Sequence, residues 1–229
     1  MEFYSWNYIL LIPAIIISLW AQSNVQNTYT RYSKIRSANG YTGAEIARKI
    51  LDDNGLTYIA IEISPGQGLN DHFDPRANVI RLSEGVYNST SLAAIGIAAH
   101  EVGHAIQYSE EYPPIKIRNA IIPVTNLGSK AAMPLLILGL IFSIPQLAFL
   151  GVLAFSLAVI FQLMTLPVEY NASQRAVDIL EQKNYLMNEE IKGAKKVLSA
   201  AASTYLAAAF VALMQLLRIL MIARGSRRR

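Results

Sequence analysis

Cysteine is absent from the 229-residue chain. That excludes a disulfide framework and any thiolate metal centre, so a metal held here has only nitrogen and oxygen ligands to draw on. Charge is sparse as well. Charged residues make up 16% of the chain against 53% apolar, whereas soluble domains carry about 25% charged residues. This balance points to a membrane protein. The net charge is only +4, and the basic residues lie near apolar segments without aromatic interleaving. That suits a lipid surface and argues against a nucleic-acid partner. Histidine is scarce too, and of the 3 in the chain two, His100 and His104, fall in AHEVGHAIQY, Ala99 to Tyr108.

Long apolar runs set the expected architecture. YILLIPAIIISLWA, Tyr8 to Ala21, has no charge between Glu2 and Arg31 and reads as a membrane anchor. A cleaved signal peptide is the competing reading, but no basic residue precedes the block and no small-x-small site follows it. Pro13 would kink this helix, which a bilayer tolerates. MPLLILGLIFSI and QLAFLGVLAFSLAVIFQLMTL, within Met133 to Leu166, carry no charge, with Pro145 and Gln146 near the middle. At about 1.5 Å per residue and a hydrocarbon core of about 30 Å, this length suits a hairpin of two helices. TYLAAAFVALMQLLRILMIA, Thr204 to Ala223, interrupted by Gln215 and Arg218 and followed by RGSRRR, reads as a further span. The expected fold is α+β and mostly helical, a small sheet plus an active-site helix attached to about four transmembrane helices. The expected segments are an anchor over 1–22, a catalytic unit over 23–131, a transmembrane hairpin over 132–166, a helical continuation over 167–203 and a last membrane helix with basic tail over 204–229.

Inside the water-facing part, Thr42 and Glu45 form a capping box, Ile46, Ala47, Ile50 and Leu51 share one face, and Asn54-Gly55 closes a helix over about 43–54. LTYIAIEI, Leu56 to Ile63, reads as a strand ending at Pro65-Gly66. A turn at Asp74-Pro75 leads to a second strand around Asn78 to Leu82, and Ser91 caps a helix that must stop before Pro113-Pro114. A hydrophilic helix is expected from Val168 to Lys183. Asn88-Ser89-Thr90 reads as the polar run before a cap.

HEVGH lies on the Ser91-capped helix. Residues four apart share a helical face, so His100 and His104 can reach one ion while Glu101 stands beside its water. This arrangement suits metal-activated hydrolysis with zinc as cofactor and Glu101 as general base. The bland reading is two histidines making ordinary hydrogen bonds. A catalytic site needs a third protein ligand. His72 is the one histidine left, and a carboxylate is an alternative. The pattern that puts a third histidine six residues after the motif is absent, since Gln107 stands where it needs a turning glycine and Glu110 where it needs the histidine. Glu169, in LPVEYNASQRAVDIL just beyond the hairpin, is the better candidate: two crossings return the chain to the side it left.

Several separated blocks, TGAEIARKILDDNGL, LNDHFDPRANVIRLS, AAHEVGHAIQ and LPVEYNASQRA, resemble the YugP-type neutral zinc metallopeptidases, membrane proteins of bacteria and archaea. The two-part signature is also similar to the HtpX type of gluzincin. That resemblance implies Glu169 as third zinc ligand and Ala172 as the small residue that lets two helices approach. Ser173 stands where those relatives carry aspartate, and Ser173 or Asn171 is left to orient a histidine.

In gluzincins a peptide docks on an edge strand before the active-site helix, and Asn78 to Leu82 is expected in that place, with His72 at the rim of the site. Alternatively Asp71, His72 and Asp74 merely build the turn. Tyr205 is a candidate oxyanion donor or an interfacial anchor. The resulting expectation is a multi-pass cell-membrane zinc metalloendopeptidase acting on peptide or membrane-protein substrates. Basic residues near the membrane ends put its catalytic unit in the cytoplasm, although the C-terminal tail argues the other way. The alternative is an inactive membrane scaffold that keeps the metal-site fold. A transporter is weak, because the hairpin helices carry no charged residue.

Overall fold

A computed structural model of the protein describes residues 9–65 and 70–226. Residues 1–8 of the expected anchor, Gly66 of the strand-ending turn, Leu69 of the LNDHFDP block and Arg227 to Arg229 of the tail lie outside the described residues. The elements in order are α1 (Leu11–Tyr32), α2 (Gly43–Asp53), β1 (Ala60–Ile63), β2 (His72–Asp74), β3 (Val79–Leu82), α3 (Glu84–Tyr87), α4 (Leu92–Ser109), α5 (Pro113–Ile141), α6 (Pro145–Gln182) and α7 (Glu189–Ser226). They divide into two compact units. One comprises Ser23–Tyr112 with Val168–Ala202, and the other comprises Pro113–Pro167 with the stretches up to Gln22 and from Ser203.

The first unit is built around α4. Thr42 and Glu45 form the reciprocal capping box of α2, and Ile46, Ala47, Ile50 and Leu51 are wholly buried on its inner face. Gly55, at φ +71°, ends that helix in the left-handed region that glycine enters without strain. β1 starts four residues later than the pattern LTYIAIEI suggests. The physical reason is Arg48, whose guanidinium takes the carbonyls of Ile59 at 2.7 Å and Leu56 at 3.2 Å and so holds this segment as a turn.

The sheet has the order β1-β3-β2, with β3 parallel to β1 and antiparallel to β2. The strand expected at the edge, Asn78 to Leu82, is therefore central. His72–Asp74, one reading of which was a plain turn, forms the edge strand β2, while Asp74 closes the following turn by accepting from Arg76 N and Ala77 N. A three-residue strand carries too little alternation to be seen in sequence.

In the second unit, α5 and α6 form the hairpin, turning through Ser143 (φ 55°) just before Pro145. A Cβ added at Gly151 would lie 2.7 Å from both Ala132 O and Leu136 N, so this glycine lets the two helices touch as small residues do between membrane helices. Among the described residues three helices are long and apolar enough to cross a membrane, α5, α6 and α7, and their most apolar windows are only 28%, 22% and 22% buried. Exposed apolar surface on that scale calls for lipid. Four spans were expected; α1 is not among these three. Two helices run further than the sequence suggests. The hydrophilic helix from Val168 is the continuation of α6 through Pro167, and the span from Thr204 is the second half of the 38-residue α7.

Candidate metal centre

Three elements position the site within the first unit: α4, β2 and the part of α6 from Val168. α4 begins at Ser91, whose hydroxyl accepts from Ala94 N, and it is buried along most of its length. His100 and His104 project from it with ring centroids 4.7 Å apart. The Nε2 atoms of His100 and His104 lie 3.4 and 3.5 Å from Glu169 Oε2 on α6. Charge-assisted hydrogen bonds are about 2.7–2.9 Å, and both of these contacts are longer. A tetrahedral zinc with bonds of about 2.0–2.1 Å holds its ligand atoms about 3.3–3.4 Å apart, close to the two nitrogen–oxygen separations seen, and all three atoms lie within 4.8 Å of one another. Two imidazoles and one carboxylate, with no thiol, are also the donor set of catalytic zinc.

Close approach of α4 and α6 makes this possible. Gly103 faces Ala172, and a Cβ at Gly103 would lie 2.6 Å from Ala172 O and 3.2 Å from its Cα. Gly103→Val should push the helices apart at a cost of about 1–3 kcal/mol. Where that strain spreads His100, His104 and Glu169 apart and these hold the metal, zinc affinity drops by roughly ten- to a hundredfold. Isothermal titration with zinc checks this, and a variant binding zinc like wild type would show that the contact does not set the ligand spacing.

Glu101 is buried, at 7% exposure, and its Oε2 accepts the backbone N–H of Phe73 at 3.0 Å. The alternation of β2 turns that N–H away from β3 toward α4. Asp71, just before β2, ties it down by accepting from Ser83 N at 2.7 Å and from Ser83 Oγ at 3.1 Å. Burial pushes the Asp71 carboxyl above its ordinary pKa, the Ser83 hydrogen bonds oppose this, and the charge of Glu101 adds to it.

His72 is exposed on β2, with Nδ1 2.9 Å from Asn70 O, and it stands outside the group formed by His100, His104 and Glu169. Tyr205 is part-buried on α7 and belongs to the other compact unit. Ser173 Oγ lies 3.1 Å from His100 Nδ1. The residue behind His104 is Gln107, with Oε1 3.0 Å from His104 Nδ1, and Asn171 stands one step further back. Gln107 escaped the sequence reading, which treated it only as a missing glycine. Its signal was available: a lone amide three residues after a histidine on an apolar helix sits against that histidine.

A helix-borne histidine pair beside a carboxylate from a later helix, in a chain whose described residues include three membrane-capable helices, has the make-up of a membrane metalloprotein. Comparison of the sequence with known families gives the metal and the class. The chain belongs to the family described as "Putative neutral zinc metallopeptidase", which matches residues 7–224. It is 48% identical over 213 residues, 93% of this chain and 94% of the relative, to the "Putative membrane protease YugP" of Bacillus subtilis (strain 168). No solved structure matches the chain.

Proposed function

We propose that the protein is a membrane-bound zinc endopeptidase in which His100, His104 and Glu169 hold the metal and Glu101 transfers the proton. The observation that carries this is the convergence of one ligand atom from each of those three residues within 4.8 Å, beside a buried Glu101. Zinc bound there supplies a Lewis acid that lowers the pKa of water to about 7 and polarises a carbonyl. Glu101 takes the proton from the attacking water as the carbon–oxygen bond forms. It returns the proton to the amine nitrogen as the carbon–nitrogen bond breaks. β2, not β3, is the outer strand next to Glu101, and its outward Phe73 N–H is held by Glu101, so an extended peptide pairing along β2 would run past the base and compete for that N–H. His72, exposed on that strand, becomes a candidate contact for it.

The test uses purified protein and denatured membrane proteins as substrate. Cleavage should disappear on chelation and return with about one equivalent of zinc per chain. Fully zinc-loaded protein that cleaves none of them would remove the enzyme reading and leave the scaffold.

The catalytic unit is read as cytoplasmic from the excess of basic residues at its membrane ends, Arg31, Lys34, Arg36 and Arg175 among them. Gln182 is exposed at the end of α6 in this unit. In a chain with no cysteine of its own, Gln182→Cys should resist a membrane-impermeant thiol reagent in intact cells and react after permeabilisation. Ready labelling of intact cells reverses the orientation.

A further inference from the structure

Gln107 is wholly buried and every one of its polar atoms is committed. Its Nε2 lies 2.8 Å from Val168 O and 2.9 Å from Asn171 Oδ1, and its Oε1 lies 3.0 Å from His104 Nδ1. Asn171 Oδ1 is also 2.8 Å from Arg175 Nε. Arg175 is held in turn by Glu110, at 2.7 Å, and by the ring of Tyr112, 5.8 Å from its Cζ.

The direction of each bond can be deduced from the end of this chain. A guanidinium only donates. The Asn171 atom facing Arg175 must therefore be its oxygen, and the Gln107 atom facing that oxygen must be the amide nitrogen. Val168 O, which only accepts, demands the same orientation independently. What remains to face His104 is the Gln107 carbonyl oxygen, so Nδ1 of His104 must carry the ring proton. In the neutral imidazole that leaves the lone pair on Nε2, the atom turned toward Glu169. His100 is treated differently: its Nδ1 meets the Ser173 hydroxyl, which donates or accepts equally well and specifies no tautomer.

We infer that Gln107, its amide oriented by Val168 O and by the Arg175–Asn171 pair, is a positioning residue that fixes His104 in the Nδ1–H tautomer and keeps its Nε2 free for zinc. This rests on the ligand assignment proposed above only in its last step, because the tautomer is a property of the metal-free protein. The role asks different things of the members of the chain. At position 171 an acceptor adds to the orientation that Val168 O already gives. Asn171→Asp keeps an oxygen toward both Arg175 and Gln107, whereas Asn171→Leu removes it. At position 107 it needs a carbonyl, which the similarly sized Gln107→Met lacks.

The experiment is nitrogen-15 NMR of histidine-labelled, metal-free protein at alkaline pH, alongside zinc titration of the same samples. Only 3 histidines contribute signals, and His72→Ala and His100→Ala spectra assign them. Wild type and Asn171→Asp should show His104 protonated at Nδ1 alone. Gln107→Met should show a mixture of tautomers and bind zinc about 10- to 100-fold more weakly, the usual effect of losing a partner behind a metal ligand, whereas Asn171→Leu, in which Val168 O still orients Gln107, should keep the Nδ1–H tautomer. A wild-type His104 protonated at Nε2 overturns the inference, as does Gln107→Met matching wild type in both readouts. If His104 is an Nδ1–H tautomer that responds to Gln107→Met but the protein binds no zinc, the ligand assignment fails while the hydrogen-bond chain stands.

Discussion

Glu101→Gln is expected to bind zinc as wild type does, to fold as wild type does, and to lose nearly all proteolysis. Glutamine fills the space of the carboxylate, so the pocket between β2 and α4 stays packed. Phe73 N–H still finds an oxygen to donate to at position 101, because the amide carbonyl replaces Oε2. The substituted side chain cannot take a proton from water. Removal of a positioned general base slows a reaction by about 10²- to 10⁴-fold, and in the proposed mechanism one residue serves both the attack and the departure of the amine, which favours the upper part of that range. Turnover of a denatured membrane-protein substrate by Glu101→Gln at matched zinc content measures it. A cellular role that survived this substitution undiminished would belong to binding and not to hydrolysis. Loss of zinc from the variant would instead put Glu101 among the ligands and redraw the site.

The parts of this protein that sequence displays clearly are those governed by short-range chemistry. The capping box of Thr42 and Glu45, the buried face of α2, the Ser91 cap and the stop before Pro113 all depend on contacts within a few residues. The histidine pair is of the same kind. What sequence concealed depends on distant partners. Arg48 takes the carbonyls that would have begun β1, and nothing in LTYIAIEI announces a guanidinium from the preceding helix. The central place of β3 depends on a parallel pairing with β1 and on the three-residue β2, and local alternation does not encode strand order. Pro167 reads as a break, since proline lacks the N–H that continues a helix, yet α6 passes through it. Membrane helices admit such prolines where neighbouring groups meet the freed carbonyl. Glu169 could be singled out because crossing parity and a family resemblance both bear on it. Gln107 carries no such mark, and its importance is visible only once Val168, Asn171 and Arg175 are brought to it from α6.

Glu169→Ala should abolish stoichiometric zinc binding, and the contrast with His72→Ala makes the result decisive. Catalytic zinc is held by three protein ligands; on the proposed assignment, loss of the carboxylate leaves only His100 and His104, and two imidazoles on one helix make no closed set. The loss should exceed the about 10- to 100-fold that follows from removing a group behind a ligand, because a ligating atom itself is gone together with its negative charge. Zinc content after dialysis should fall from about one per chain to a small fraction of that. Glu169→Gln distinguishes charge from shape: an amide oxygen in the same place restores the third donor atom but not its charge, so intermediate affinity is expected. His72, exposed on β2 and outside the 4.8 Å group, should be replaceable without any change in metal content. Full zinc in Glu169→Ala together with zinc loss in His72→Ala would move the third ligand from α6 to the edge strand. The 3.4 and 3.5 Å separations around Glu169 Oε2 would then mark a carboxylate lodged between two imidazoles with no metal role.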